Sequence, residues 1–151
     1  MGTLNHILLA EDDPKDVRLT ITALDEYNLA NEVVVVNDGA EALDFLYCRG
    51  KYQSRVAANP AVVLLDIKMP KVDGVEVLRT IKNDPQLKNI PVVILTSSRE
   101  EKDLAECYRL GVNAFVVKPV NFAEFVEAVK SLGVFWAIVN EPPPGSSKRT
   151  R

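Results

Sequence analysis

The stretch Leu64-Leu65-Asp66-Ile67-Lys68-Met69-Pro70 is dominated by an apolar run that stops at a single carboxylate. A matching run, His6-Ile7-Leu8-Leu9-Ala10, also ends in acid, at Glu11, Asp12 and Asp13. Two strands that finish this way bring three or four acidic groups to one edge of a sheet. Crowded carboxylates repel one another and hold their protons more tightly, so something cationic belongs among them. A hard divalent ion with oxygen ligands is the natural candidate. Two further apolar runs end in different chemistry. Val92-Val93-Ile94-Leu95 leads into the hydroxyl of Thr96, and Val116-Val117 leads into Lys118-Pro119.

Apolar runs rich in Val, Ile and Leu recur at 6–10, 32–36, 61–65, 91–95 and 114–117. Their hydrophobicity is continuous rather than alternating, the pattern of strands buried on both faces, which predicts a parallel sheet covered by helices. The segments between carry helix-start signals. Asp13 is placed to cap a helix with Pro14 at its first position and Val17, Ile21 and Leu24 on one face. Asp38…Glu41, Asp73…Glu76, Ser98…Glu101 and Asn121…Glu124 have the spacing of a capping box or a close relative, and Gly111 is placed to stop the fourth helix. Five such βα units predict a doubly wound α/β sheet with right-handed crossovers. Ligands in such sheets bind outside the C-terminal ends of the central strands, where Asp12, Asp66, Thr96 and Lys118 independently fall.

At 151 residues the chain is one domain's worth of sequence. Its net charge of −3 argues against direct nucleic-acid binding as its main business. No apolar stretch approaches the ~20 residues needed to span a bilayer, and the N-terminus lacks a signal peptide's pattern, so a cytoplasmic protein is expected. Cys48 and Cys107 fall in stretches read as helical and are expected to be reduced thiols. His6 is the only histidine, which excludes a multi-histidine metal site.

Acid pair, acid, hydroxyl and lysine, each closing its own hydrophobic run, resemble the receiver domain of two-component response regulators over roughly residues 5–133. The resemblance implies a flavodoxin-like fold, five parallel strands in the order 2-1-3-4-5 flanked by five helices. It also implies a role for each site residue. Asp66 is the phosphoryl acceptor from a phosphohistidine on a sensor histidine kinase. Glu11, Asp12, Asp66 and the backbone carbonyl of Lys68 hold Mg²⁺, which suits an open site keeping several waters. Lys118 and Thr96 meet the phosphoryl oxygens, and Ser97 has the small side chain that access requires. Pro119 holds a cis bond after the lysine. Phe115 aligns with the aromatic switch, although it lacks a tyrosine's hydroxyl. Lys68 stands two residues after the acceptor, where its side chain could influence the lifetime of the phosphoryl group.

Two features depart from a minimal receiver. Arg49–Pro60 makes a long connection between the second helix and the third strand. The last helix runs on through Val134-Phe135-Trp136-Ala137-Ile138-Val139, giving a receiver domain over 1–140, before a Pro/Ser-rich, basic tail over 141–151 read as flexible. This apolar ending predicts an interface, and a homodimer using Phe135 and Trp136 is expected. The long connection and the Phe-Trp ending resemble small response regulators paired with bacterial and cyanobacterial phytochrome kinases. The expected function is therefore a stand-alone response regulator, a phospho-acceptor rather than an enzyme. Its output is a protein contact or onward phosphorelay, with no direct nucleic acid or membrane partner.

Other readings fit less well. An aspartyl phosphatase of the haloacid dehalogenase type places a second Asp two residues after the nucleophile, where this chain has Lys68. A nucleotide-binding sheet needs glycines in the first turn, which here reads Glu-Asp-Asp-Pro. The alternative within the same fold is a pseudo-receiver, a protein-binding module that never takes phosphate.

Overall fold

The computed structural model describes residues 7–26, 33–56, 58–97, 101–112 and 114–131. Within them lie strands β1 (Ile7–Ala10), β2 (Val33–Val36), β3 (Val62–Asp66), β4 (Val92–Thr96) and β5 (Ala114–Val117). Helices α1 (Pro14–Asp25), α2 (Gly39–Tyr47), α3 (Gly74–Asn83), α4 (Glu101–Arg109) and α5 (Phe122–Ser131) follow their strands in turn. The strands form one parallel sheet in the order β2-β1-β3-β4-β5. This is the doubly wound, flavodoxin-like order.

Side-chain alternation divides the core into two layers. Leu8, Ala10, Val63, Leu65, Val92 and Ile94 face one way, toward Phe45 and Leu46 of α2, Leu78 and Ile81 of α3 and Cys107 of α4. Ile7, Leu9, Val62, Leu64, Val93, Leu95 and Val116 face the other way, toward Leu24 of α1 and Phe125 and Val129 of α5. Burial on both faces explains why these strands read as unbroken apolar runs.

Local chemistry ends the helices where the sequence suggests. Asp13 Oδ1 accepts from the Lys15 amide, Asp38 Oδ1 from Glu41, Asp73 Oδ1 from Glu76 and Asn121 Oδ1 from Glu124. Ser98 lies outside the described residues. Gly111, at φ 98°, closes α4: its amide donates to the Tyr108 carbonyl while Val112 donates to Cys107. That is a Schellman motif, in which the left-handed residue lets two last-turn carbonyls find donors. Cys48 is not helical as read from sequence. It is the residue after α2, at φ 55° and ψ 50°, in the left-handed position Gly111 occupies elsewhere.

The connection after α2 is ordered by Arg55. A short 3₁₀ turn at Gly50–Tyr52 is followed by the Arg55 guanidinium, which donates to the carbonyls of Phe45, Val56 and Ala58 and stacks 3.8 Å from the Phe45 ring centroid. Glu41 completes the clamp by accepting from the Tyr52 hydroxyl at 2.7 Å. The C-terminal extension, Phe135 and Trp136, and the tail over 141–151 lie outside the described residues.

Candidate functional site

Sheet register builds the site. Ala10 pairs with Leu65, so Glu11 and Asp66 stand at the same level on adjacent strands. Asp66 in turn pairs with Leu95, one residue before Thr96. The Lys118 amide donates to the Thr96 carbonyl at 2.7 Å, which brings the fifth strand's last turn over the same edge. By alternation Glu11, Asp66 and Lys118 lean toward the layer of α1 and α5. There the Lys118 ammonium meets Asp66 Oδ1 at 3.0 Å, Glu11 Oε1 at 3.1 Å and Asp16 Oδ2 at 3.1 Å. The Lys118–Pro119 peptide bond is cis.

Burial and like charge set the electrostatics. Glu11 is 1% exposed. Burial first, then the Asp66 charge, push its carboxyl up to about 7, against the Asp13 amide and Lys118, which favour the ionised form. Burial also holds Asp66 above the ordinary Asp range, with Lys118 opposing the shift and Asp12 adding to it. For Lys118 burial works against the charge, but its hydrogen bonds to Asp66 and Asp16 prevail and raise its affinity for the proton. The lysine is thus a permanent cation in a cluster that remains net acidic. Glu11, Asp12 and Asp66 each offer a carboxylate oxygen within 4.8 Å of the others. Three hard oxygen donors, with Asp12 on the solvent side, fit a divalent ion that keeps waters and a phosphate oxygen.

Thr96 and Phe115 belong to the opposite face. Thr96 is buried at the end of β4. Phe115 is half-buried against the α2–α4 layer, with its ring centroid 4.7 Å from that of Tyr108 on α4. Ser97 is exposed beside Thr96. Lys68 points away from the acids: its ammonium pairs with Asp103 of α4 at 3.0 Å, tying the loop after the acceptor strand to that helix. Two residues missing from the sequence reading matter here. Asp16 is the third carboxylate on Lys118, and only its place on the first turn of α1 could have signalled it. Gly74, at the start of α3, donates to the Ile67 carbonyl at 2.7 Å and packs directly on the Asp66 backbone.

A doubly wound sheet with a lysine-paired aspartate beside an acid pair defines a phosphoryl-accepting signalling module. The family model for the response regulator receiver domain matches residues 7–130, and the chain belongs to that family. It is 39% identical over 130 residues to the response regulator Rcp1 of Synechocystis sp., covering 86% of this chain and 87% of that one. Among solved structures, the bacteriophytochrome response regulator AtBRR is 61% identical, with a TM-score of 0.83 over 93% of this chain and 100% of that one. The phosphorylated cyanobacterial phytochrome response regulator RcpA is 42% identical, with a TM-score of 0.72 over 89% and 94%. Rcp1 has also been solved in a Mn²⁺-bound form, at 38% identity and a TM-score of 0.71 over 88% of this chain and 94% of that one. Close homologues are thus phytochrome-associated response regulators. Receiver domains take phosphoryl groups from histidine kinases and bind Mg²⁺ or Mn²⁺ at this acidic pocket. No helix among the described residues is long and apolar enough to cross a membrane.

Proposed function

We propose that Asp66 is the phosphoryl acceptor of this chain and that its donor is a phosphohistidine on a sensor histidine kinase of the bacteriophytochrome type. The observation that carries this reading is the Lys118–Asp66 ion pair at 3.0 Å, set against the Glu11, Asp12 and Asp66 oxygens. Asp66 enters ionised, with Lys118 opposing the cost of its burial. One Asp66 oxygen forms a bond to phosphorus as the bond to the donor imidazole nitrogen breaks. The electron pair of that bond stays on the imidazole, which takes a proton from solvent. Such transfers are achieved by positioning and charge neutralisation more than by covalent chemistry on the protein.

Lys118 supplies an ammonium to the phosphoryl oxygens and Thr96 a hydroxyl. Ser97, small and exposed, leaves the approach open. Glu11, Asp12, Asp66 and the Lys68 carbonyl hold Mg²⁺, which supplies neutralisation of the phosphoryl charge. Phe115 follows Thr96 on phosphorylation and changes the surface beside α4. Beyond self-catalysed phosphotransfer and slow autodephosphorylation the chain is not an enzyme. It works in the cytoplasm through protein contacts or onward relay, with a receiver unit over 1–140. Incubation with acetyl phosphate and Mg²⁺ followed by intact mass tests the core of this reading. One phosphoryl mass should be gained, and Asp66→Asn should abolish it. Full labelling of that variant would remove Asp66 from its role.

Assembly is the second part of the proposal. Tyr108 is 63% and Val117 50% exposed on either side of the half-buried Phe115. An open groove between β5 and α5 continues this surface past Ala123, Glu127 and Ser131. An isologous homodimer on α4, β5 and α5, extended by Phe135 and Trp136, would cover it. Sedimentation at micromolar concentration should show a dimer that Trp136→Ala weakens; a monomeric parent chain refutes the assembly.

A further inference from the structure

Lys118 has three N–H donors and no acceptor. In this structure each finds a carboxylate: Asp66 at 3.0 Å, Glu11 at 3.1 Å and Asp16 at 3.1 Å. The ammonium is therefore saturated, and a phosphoryl group arriving at Asp66 can gain a donor from it only by displacing one of these partners. Glu11 and Asp66 also belong to the group whose oxygens converge within 4.8 Å to hold a divalent ion. Asp16 stands outside that group, on the third residue of α1, and its described bond in the site is the one to Lys118.

We propose that Asp16 is a positioning residue that holds Lys118 toward α1 and competes with the phosphoryl oxygens for its ammonium. The inference rests on Asp66 being the acceptor. The carboxylate of Asp16 restrains phosphorylation in two ways: it occupies a donor that the transition state needs, and it adds a negative charge beside an incoming anion. The first way requires contact and a particular geometry. The second acts at a distance and is screened by salt.

That difference gives the test. Asp13 lies three residues before Asp16, is exposed, and makes no bond to Lys118; its side chain caps α1 through the Lys15 amide. Asp13→Asn removes the same charge and keeps the cap, because Asn caps as well as Asp. Initial rates of phosphorylation by acetyl phosphate with Mg²⁺, read as intact mass, are compared for the unaltered chain, Asp13→Asn, Asp16→Asn and Asp16→Glu. The assays are run at low salt and at about 1 M salt, where the screening length falls to about 3 Å. Asp16→Asn should react several-fold faster than both the unaltered chain and Asp13→Asn, and should keep most of that advantage in high salt. Asp16→Glu, which restores the carboxylate, should return toward the unaltered rate. Equal rates for Asp13→Asn and Asp16→Asn, or an advantage that vanishes in salt, would reduce Asp16 to a surface charge and overturn the proposal. A slower Asp16→Asn that melts with the unaltered chain would overturn it in the opposite sense, making Asp16 a support that Lys118 needs. If Asp16→Asn melts early, Asp16→Ser is measured by the same comparison. An unaltered chain that gains no mass refutes the acceptor assignment and this inference with it. Normal labelling with no Asp16 effect refutes this inference alone.

Discussion

The Lys118 ammonium lies 3.0 Å from Asp66 Oδ1, although 52 positions separate them in sequence. The contact exists because β3 and β5 flank β4 in a single parallel register and both end at the same edge. Only 12% of the lysine side chain and 8% of the aspartate are exposed, so solvent does little to screen the pair. Lys118→Met would leave Glu11, Asp16 and Asp66 facing one another without a cation. Removing one partner of a buried pair is costly because the other is left uncompensated, and here about 2–4 kcal/mol of stability should be lost near neutral pH. Mg²⁺ should recover more stability for this variant than for the parent, since the ion takes over the neutralising role. Denaturant melts with and without the ion decide it. A variant as stable as the parent without metal would mean the acids have another source of compensation.

The carboxyl of Glu11 gives the site a pH dependence with a definite sign. Its proton affinity rises from the ordinary 4.5 to about 7 in the folded protein, first through burial and then through Asp66. A raised pKa means the folded state binds the proton more tightly than the unfolded chain. The stabilisation from this proton is therefore full below about pH 4.5 and is lost as pH rises through about 7. Between about pH 4.5 and about pH 7 the metal-free protein should lose melting temperature through this group, and the loss should level off above that. Protons and metal compete for the same oxygens, so the increment given by Mg²⁺ should grow over that interval. Glu11→Gln should flatten the metal-free profile. Thermal melts at several pH values, each with and without ion, would refute the assignment if the Mg²⁺ increment shrank as pH rose.

Cys48 offers a prediction independent of the site. It holds φ 55° after α2, where its amide donates to the Phe45 carbonyl and Arg49 donates to Asp44. The geometry is that of the Gly111 cap, but with a side chain in the left-handed region, which costs an L residue roughly 1–2 kcal/mol. Cys48→Gly relieves that cost and gives some back as greater freedom of the unfolded chain. A net gain of about 0.5–1 kcal/mol is expected from equilibrium unfolding. A loss would mean that packing around the half-buried thiol outweighs the backbone.

The fold was legible in sequence because its central strands β1, β3 and β4 are buried on both faces, its edge strands keep the same apolar run, and α1, α2, α3 and α5 begin with carboxylate or amide caps. Val33-Val34-Val35-Val36 and the Asp38…Glu41 spacing each speak locally, and each was matched by a strand and a cap. The acidic edge was legible because a charged residue closing a fully apolar run has few structural excuses. Asp16 was not legible, since an acid in the first turn of a helix is ordinary and only the tertiary approach of Lys118 gives it a role. Arg55 was hidden for a similar reason. Its fork satisfies carbonyls of the helix end and of its own loop, partners that no sequence spacing marks. Cys48 misled because helical periodicity does not say which residue will turn left-handed at the end.

Gly74 ties the start of α3 to the acceptor itself. A Cβ built there would stand 2.1 Å from the Asp66 carbonyl oxygen and 2.8 Å from the Ile67 Cα. Both are backbone atoms, so no side-chain rotation can make room. The Gly74 amide already donates to the Ile67 carbonyl at 2.7 Å, and this bond fixes how α3 closes over the loop after β3. Gly74→Ala must therefore push the helix start and the acceptor strand apart. Overpacking of this kind costs about 2–3 kcal/mol, partly offset by alanine's smaller unfolded-state entropy. The displacement falls on the residue whose oxygen must meet phosphorus in line, so the rate with acetyl phosphate should fall about tenfold or more even where the variant is fully folded. The two effects are separable by measuring the rate well below the variant's own melting temperature. A Gly74→Ala protein that melts and reacts like the parent would mean α3 has room to move off the acceptor strand. The close approach at Gly74 would then have no part in setting the position of Asp66.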